Sequence, residues 1–135
     1  MTKLDEVKDR LYSKNASLVV LYSNGEIKEY YQDRVKDIKE ILQENENALK
    51  GAIIADKVIG KLACSLLAVS GVKEIYADII SEYAIPILEN YNIKYNYKIK
   101  VPYIINKDKT GMCPMENKYK DEQNLNKIYT EIIKK

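Results

Sequence analysis

Cys113 stands directly before a proline in the stretch GMCPMEN. If Cys113 is the N-cap of a helix, Pro114 takes the first helical position and Glu116 the third, which is the spacing of a capping box. A thiolate at a helix N-terminus is also stabilised by the helix dipole. Cys113 is therefore predicted to be a helix cap, and a reactive thiol is the second possibility. The other cysteine, Cys64, lies within LACSLL and is expected to be buried packing.

Two lysines and a glycine lie close together in the stretch ADKVIGKLAC. We predict a helix that begins at Asp56 and ends near residue 70, with Lys57 and Lys61 in its first turns. Because a helix N-terminus is already positive, a bound anion such as phosphate would resolve the conflict. Gly60 within a helix costs up to about 1 kcal/mol relative to alanine, which a close backbone or ligand contact would explain. The alternative is a plain helix cap, solvated lysines and a glycine packed against the hairpin.

Three further polar residues could face the same site. Asp78 lies near the carboxyl end of VKEIYADII, predicted to be a strand of residues 72–80 that is covered on both faces. Open α/β sheets present ligands at this end, although a carboxylate bonded to backbone is the alternative. Ser81 is predicted to cap the next helix, or else to contact a ribose or base. Lys107 lies in the loop NKDKTG, which is an ordinary solvated turn unless it faces the same end of the sheet.

The chain contains no histidine and only two cysteines. This composition excludes histidine-ligated zinc, a Ser-His-Asp triad, a Cys-His dyad and an all-cysteine zinc site within one chain. We therefore expect neither a metal nor another cofactor. The net charge of +2 is too small to imply nucleic acid as a partner.

Length and composition bound the class of protein. The 135 residues are 46% hydrophobic and 31% charged, a globular balance that predicts a single domain spanning residues 1–135. No apolar run approaches the ~20 residues of a membrane span, and the first stretch, MTKLDEVKDRLYSK, lacks the apolar core of a signal peptide. Free thiols in such a chain favour a reducing, cytoplasmic location.

Hydrophobic periodicity predicts helices and strands in alternation. A helix of residues 3–14 follows a capping box of Thr2 and Asp5. Asn24-Gly25 predicts a type I′ hairpin of residues 17–22 and 26–31. The remaining predicted elements are a helix capped by Asp33, an extended segment at 52–54, the helix from Asp56 with its stop at Gly71, the strand 72–80, a helix from Ser81 disturbed by Pro86, a strand at 93–99, a short strand at 101–105 and a terminal helix broken near 121–124.

Residues 18–120 resemble a small uncharacterised bacterial and archaeal domain-of-unknown-function family of the cytidine-deaminase-like superfamily. The resemblance is carried by ADKVIGKLACSLLAVSGVKEIYADIISE, VPYIIN and TGMCPME, which recur in this order. The order helix, β-hairpin, helix, strand, helix, strand is also that of the cytidine-deaminase-like fold. The resemblance implies a three-layer α/β fold, with a mixed central sheet begun by the hairpin and helices on both faces. It brings no settled activity with it.

Deaminases of this superfamily hold one zinc with H/C-x-E and P-C-x-x-C motifs at the starts of two helices. The corresponding stretches here are Ala55-Asp56-Lys57 and Ile80-Ser81-Glu82-Tyr83, which contain neither imidazole nor thiolate. Cys113-Pro114 has the reversed order and lacks a second cysteine. Zinc-dependent deamination is therefore not expected.

We predict instead a zinc-free domain that binds a nucleotide or ribose-phosphate ligand. Lys57 and Lys61 would engage phosphate, Gly60 would allow close approach, and Asp78 or Ser81 would orient the remainder. One alternative is an enzyme or redox sensor that uses the Cys113 thiol. The other is an interaction module, which includes a homo-oligomer, that pairs through the strand 93–99 or the terminal helix.

Overall fold

A computed structural model describes residues 2–33, 35–106 and 108–134 of the chain. The elements in chain order are α1 (Lys3–Ser13), β1 (Leu18–Leu21), β2 (Ile27–Tyr30), α2 (Lys36–Glu44), β3 (Ile53–Ile59), α3 (Lys61–Val69), β4 (Glu74–Ser81), α4 (Ile85–Asn90), β5 (Lys94–Val101), α5 (Pro114–Tyr119) and α6 (Leu125–Ile133). Within the described ranges, no helix has the length and apolarity that crossing a bilayer requires.

The five strands form one mixed sheet in the order β2-β1-β3-β4-β5. β1 pairs antiparallel with both β2 and β3, whereas β3, β4 and β5 run parallel. Because parallel strands end at the same edge, the carboxyl ends of β3, β4 and β5 lie side by side. This edge is the one at which open α/β sheets commonly bind ligands.

Helices cover both faces of the sheet. On one face, Val7 and Leu11 of α1 pack into a small core with Val19 and Ala55 of the strands. The other face carries the larger core, to which helices α2, α3, α4, α5 and α6 all contribute buried side chains. The mixed α/β architecture with helices on both faces is therefore as predicted.

Local signals near the N-terminus are confirmed in position. Thr2 caps α1 in a capping box: its hydroxyl oxygen accepts the Asp5 N–H, and the Asp5 carboxylate accepts the Thr2 N–H. The hairpin is present, but its turn is not type I′, which would need positive φ at both central residues. Gly25 has φ +95°, but Asn24 does not have a positive φ. The Gly25 N–H donates to the Tyr22 carbonyl at 2.9 Å, so a three-residue loop ends in a left-handed glycine.

The helix predicted from Asp56 begins later than expected. Asp56 and Lys57 lie inside β3, and α3 starts at Lys61 with Gly60 at its N-cap. The strand continues past its polar pair because it is bonded on both sides: Asp56 is the register partner of Leu18 in β1 and of Ala77 in β4. Tertiary pairing therefore overrides the helix-capping signal of an aspartate. The end of the helix is as predicted, since Gly71 has φ +84° directly after the C-cap.

Two other predicted caps are wrong. Ser81 is the last residue of β4, and α4 begins only at Ile85, because Pro86 fits the first turn of a helix and not its interior. The helix predicted to be capped by Asp33 begins at Lys36, with Val35 at the N-cap.

The C-terminal part follows the predicted order with one exception. β5 continues through Val101, and of the predicted short strand at 101–105 only an isolated bridge between Ile105 and Met112 remains. The break in the terminal helix is confirmed, since α5 and α6 are separate helices. Asn124 caps the second of them by accepting the Lys127 N–H at 3.2 Å.

Candidate functional site

Two adjoining clefts open at the carboxyl edge of the parallel strands. The first has a volume of about 390 Å³ and lies between the start of α3 and the start of α5. The second has a volume of about 330 Å³ and lies beside the ends of β3 and β5. Val58 and Ile104 line both clefts and form the wall between them. The site is thus one region with two compartments, placed where the fold class presents ligands.

The first compartment is mostly apolar. Its lining includes the side chains of Val58, Leu62, Ile104, Pro114 and Met115. The lining also includes Gly60, Cys113 and Glu116. Gly60 and Cys113 were predicted as ligand-binding residues, whereas Glu116 was predicted only as part of a capping box.

Glu116 caps α3 from a different helix. The side chain is only 3% exposed. Its Oε1 accepts the Lys61 N–H at 2.5 Å, and its Oε2 accepts the Ile104 N–H at 2.8 Å. Because Gly60 has no side chain with which to cap the helix, this carboxylate takes the place of a local cap and complements the helix dipole. The anion expected at this helix N-terminus is therefore supplied by the chain itself, and the N–H of the first helical residue is already bonded.

Gly60 is required by space and not by backbone conformation. Its φ of −104° and ψ of −168° are extended values that any residue adopts. A Cβ at this position would lie 2.8 Å from Ile104 Cγ1 and 2.9 Å from Glu116 Oε1, closer than such atoms can approach. The close contacts at Gly60 are therefore made with the protein's own side chains, and not with a backbone segment or ligand as predicted.

Asp56 is a buried carboxyl that lines the second compartment. It is 5% exposed, and its Oδ1 accepts the Val58 N–H at 3.3 Å. Burial raises the pKa of this carboxyl to about 8; bonds from the backbone of Val58 and Lys57 oppose the rise, and the nearby Asp37 adds to it. The group is therefore mostly protonated at neutral pH, and a protonated carboxyl both donates and accepts hydrogen bonds.

The two lysines point to different places. Lys57 lines the second compartment, and its ammonium donates to Asn15 Oδ1 at 2.7 Å. No carboxylate forms an ion pair with it among the described residues. Lys61 is 6% exposed, and its ammonium lies 3.5 Å from the Lys120 carbonyl oxygen at the end of α5. The prediction that both lysines share the first turns of one helix is wrong, because β3 ends between them.

Asp78 and Ser81 lie outside both compartments. Asp78 is on the α1 side of the sheet, where its carboxylate accepts the Tyr12 hydroxyl, which is itself 2.7 Å from the Tyr76 hydroxyl. Ser81 is fully buried, and its Oγ accepts the Tyr83 N–H at 3.0 Å. Ser81 therefore supports the turn into α4 and does not cap that helix. Lys107 lies outside the described residues.

Cys113 is at the predicted N-cap of α5, but the capping box is absent. Its side chain makes no capping hydrogen bond, and Glu116 is turned toward α3. The Cys113 N–H donates to the Ile104 carbonyl at 2.8 Å, which holds the half-buried residue at the rim of the first compartment. Cys64 is fully buried with its Sγ 3.5 Å from the Ala84 carbonyl, and burial raises the pKa of its thiol. Its predicted packing role is confirmed.

Sequence reasoning missed several residues that line the clefts. These are Ser17, Asp33, Tyr103, Ile104 and Asn106. One signal could have identified Glu116: a helix that begins at a glycine, without Ser, Thr, Asp or Asn at the cap, needs an acceptor from elsewhere. Within the described ranges, no three Cys, Asp or Glu side chains are grouped so that they could hold a metal ion.

Comparison with known proteins gives one family. The model of the family described as TM1506, Domain of unknown function (DUF1893), matches residues 6–135. A crystal structure of a DUF1893 family protein (TM1506) from Thermotoga maritima is similar, with 27% sequence identity and a TM-score of 0.86. The likeness covers 99% of this chain and 91% of that one. No curated protein matches the chain.

Proposed function

This chain belongs to the TM1506 family, a domain of unknown function (DUF1893), and from that premise we propose that it binds a nucleotide or ribose phosphate without zinc, on a cytidine-deaminase-like fold. The family brings no activity with it, so the proposal depends on the two compartments at the carboxyl edge. The cytoplasmic location stays a prediction.

The element order supports the deaminase-like fold. A helix, an antiparallel hairpin, a helix, a strand, a helix and a strand follow one another, and helices cover both faces of the mixed sheet. The helix that would carry the first zinc motif begins with Gly60-Lys61-Leu62, and the last residues before α4 are Tyr83-Ala84. These side chains offer no zinc ligand, so a ligand must be held by other groups.

The proposal depends mainly on the buried carboxyl group of Asp56. A carboxyl group that is buried within a central strand, lines a cleft and is mostly protonated is costly to a fold unless it has a use. Its donor and acceptor pair suits a ribose hydroxyl or the edge of a base. The neighbouring apolar compartment suits the flat face of a base, since ligand pockets combine apolar walls with a few placed polar groups. Lys57 donates to the neutral amide of Asn15 and to no carboxylate among the described residues, so its ammonium supplies a charge for phosphate.

Thermal unfolding with nucleosides, nucleotides, ribose 5-phosphate and inorganic phosphate tests this function. A ligand at a hundred times its Kd stabilises the folded protein by about 2.7 kcal/mol, which raises the Tm by several degrees. Asp56→Ala removes both the donor and the acceptor and should reduce the shift for nucleosides and nucleotides alike, whereas Asp56→Asn keeps both and should reduce it less. Lys57→Ala should reduce the shift for nucleotides and leave nucleosides unchanged. Lys39→Ala, at an exposed position of α2, is the matched control.

The outcomes are distinct. If nucleotides and sugar phosphates all leave the Tm unchanged, the proposed function is wrong. If they raise it equally in wild type, Lys57→Ala and Lys39→Ala, the phosphate contact is not at Lys57.

Thiol chemistry at Cys113 is the second candidate. It is favoured by one observation, the position of Cys113 at the rim of the apolar compartment. The rate of alkylation by iodoacetamide, measured with and without the nucleotides above, tests it. Protection of Cys113 by a ligand would place the thiol in the ligand site. A rate equal to that of a free cysteine peptide at every pH would rule out an activated thiol at Cys113.

A further inference from the structure

β5 forms one edge of the sheet, and within the described ranges no strand pairs with its outer side. It has eight residues, it is the outermost strand, and among the described residues its only strand partner is β4. The opposite edge is formed by β2, which has only four residues. An edge of this length presents a row of backbone N–H and C=O groups on which an extended chain can pair.

The two faces of this edge differ in chemistry. Lys94, Asn96 and Lys98 alternate along the strand and are exposed. The Lys98 ammonium lies 5.9 Å from the centre of the Tyr12 ring of α1, which places this row on the α1 side of the sheet. Toward the other side, Tyr95 and Tyr97 lie in contact with the larger core, their rings stacked with centroids 6.4 Å apart.

The lysine face borders a depression beside α1. The depression has a volume of about 400 Å³, and Lys8 and Lys98 line it together with Tyr12, Tyr76 and Asn96. The Lys8 ammonium rests over the Tyr76 ring at 4.9 Å from its centre. A carboxylate on a strand added to β5 would therefore meet two ammonium groups on this side, while apolar side chains would extend the tyrosine face on the other.

A second copy of this chain is a poor occupant of the edge. In antiparallel pairing of two β5 strands, a register centred on Asn96 places Lys94 opposite Lys98. A register centred on Tyr97 places Lys94 opposite Lys100. Like charges directly opposite each other destabilise a strand pair, and lysines on edge strands commonly prevent self-association.

We propose that the free edge of β5 binds an extended segment of another polypeptide in which acidic residues alternate with apolar ones. The pairing adds a sixth strand to the sheet. Backbone hydrogen bonds hold the segment, and the lysine row and the tyrosine row select its two faces. The lysine and tyrosine rows of β5 line neither cleft, so this interaction does not depend on the proposed ligand.

A labelled octapeptide that alternates glutamate with valine or tyrosine tests the proposal by fluorescence anisotropy. A second peptide carries lysine in place of glutamate, and a third is the acidic peptide with alternate backbone nitrogens methylated. The acidic peptide should bind wild type and shift the backbone amide resonances of residues 94–101. The double variant Lys94→Glu/Lys98→Glu should bind it at least tenfold more weakly and should prefer the lysine peptide, because each attractive pair becomes a repulsive one. Lys36→Glu/Lys39→Glu, with the same change of net charge on α2, should bind the acidic peptide with little change.

Several results would overturn the proposal. Absence of binding by the acidic peptide is one. Another is equal binding of the acidic peptide to Lys94→Glu/Lys98→Glu (the β5 variant) and Lys36→Glu/Lys39→Glu (the α2 variant). Binding would then depend on the net charge of the protein and not on the position of the lysines. Equal binding of the methylated peptide would show attraction without strand pairing. Sedimentation of wild type as a dimer that the β5 variant alters would assign the edge to a second copy.

Discussion

The stability of the fold should fall as the pH rises from about 5.5 to about 7.5, because of one buried carboxyl. Burial raises the pKa of Asp56 to about 8, whereas an aspartate in the unfolded chain has a pKa of about 3.9. Between these values the folded state holds a proton that the unfolded state has released. The stabilising contribution is complete below the unfolded pKa and is lost as the pH rises through the folded pKa.

The magnitude follows from the width of the window. Each pH unit in which one proton separates the two states changes the free energy of unfolding by about 1.36 kcal/mol, so two units amount to about 2 to 3 kcal/mol. Other side chains should contribute little to this slope, because the chain has no histidine and no other side chain has an ordinary pKa between about 5.5 and 7.5.

Urea unfolding followed by circular dichroism, at intervals of half a pH unit, measures this slope. Asp56→Asn carries a neutral group of the same shape, so its free energy of unfolding should stay level across the window. It should exceed that of wild type at the upper end. Asp9→Asn, at an exposed position of α1, is the matched control and should keep the wild-type slope.

Two results would refute the reasoning. A wild-type free energy of unfolding that stays level or rises with pH would mean that Asp56 is ionised in the folded protein. An Asp56→Asn variant with the wild-type slope would assign the proton to another group.

Three further predictions concern the region around α3. Glu116→Gln should lower the free energy of unfolding by about 2 to 3 kcal/mol, because its amide group turns a donor toward one of two buried backbone N–H groups; an unchanged Tm would contradict this. Gly60→Ala should cost about 1 to 2 kcal/mol from overpacking, while Gly111→Ala, whose Cβ would meet no atom within 4 Å, should be neutral or slightly stabilising in the same melting experiment. Iodoacetamide should label Cys113 and spare Cys64 in the folded protein, as peptide mapping would show; equal labelling would mean that α3 opens readily.

Elements with strong local signals could be predicted from the sequence. The capping box places α1 within one residue, and Asn24-Gly25 places the hairpin between its two strands. Both signals act between residues that are close in the chain, so no knowledge of the fold is needed. Even so, the turn type was wrong, since loop length and strand register together decide it.

The boundary between β3 and α3 could not be predicted in this way. Asp56-Lys57 has the appearance of a helix start, and only pairing with β1 and β4 on both sides keeps it extended. Such pairing joins residues far apart in sequence, which periodicity within a short window does not contain.

The candidate site was predicted only in part, and the reason is the same. The sequence indicated correctly that Cys113 begins a helix. For Gly60 it predicted a close backbone or ligand contact, whereas the neighbours are the side chains of Ile104 and Glu116. It did not indicate that Glu116 would be the contacting group, or that Asp56 would be buried and protonated. Both properties arise from distant segments that meet at the carboxyl edge, so they are visible only in the folded chain.

The bond from Glu116 to α3 also bears on the order in which the molecule is completed. The carboxylate lies 55 residues after the amide that it caps. During synthesis, α3 therefore leaves the ribosome well before its capping group has been made. A nascent chain that stops short of α5 contains all five strands, but the Lys61 N–H at the start of α3 lacks its Glu116 acceptor. The cap of α3 is therefore completed only after the C-terminal segment has been made.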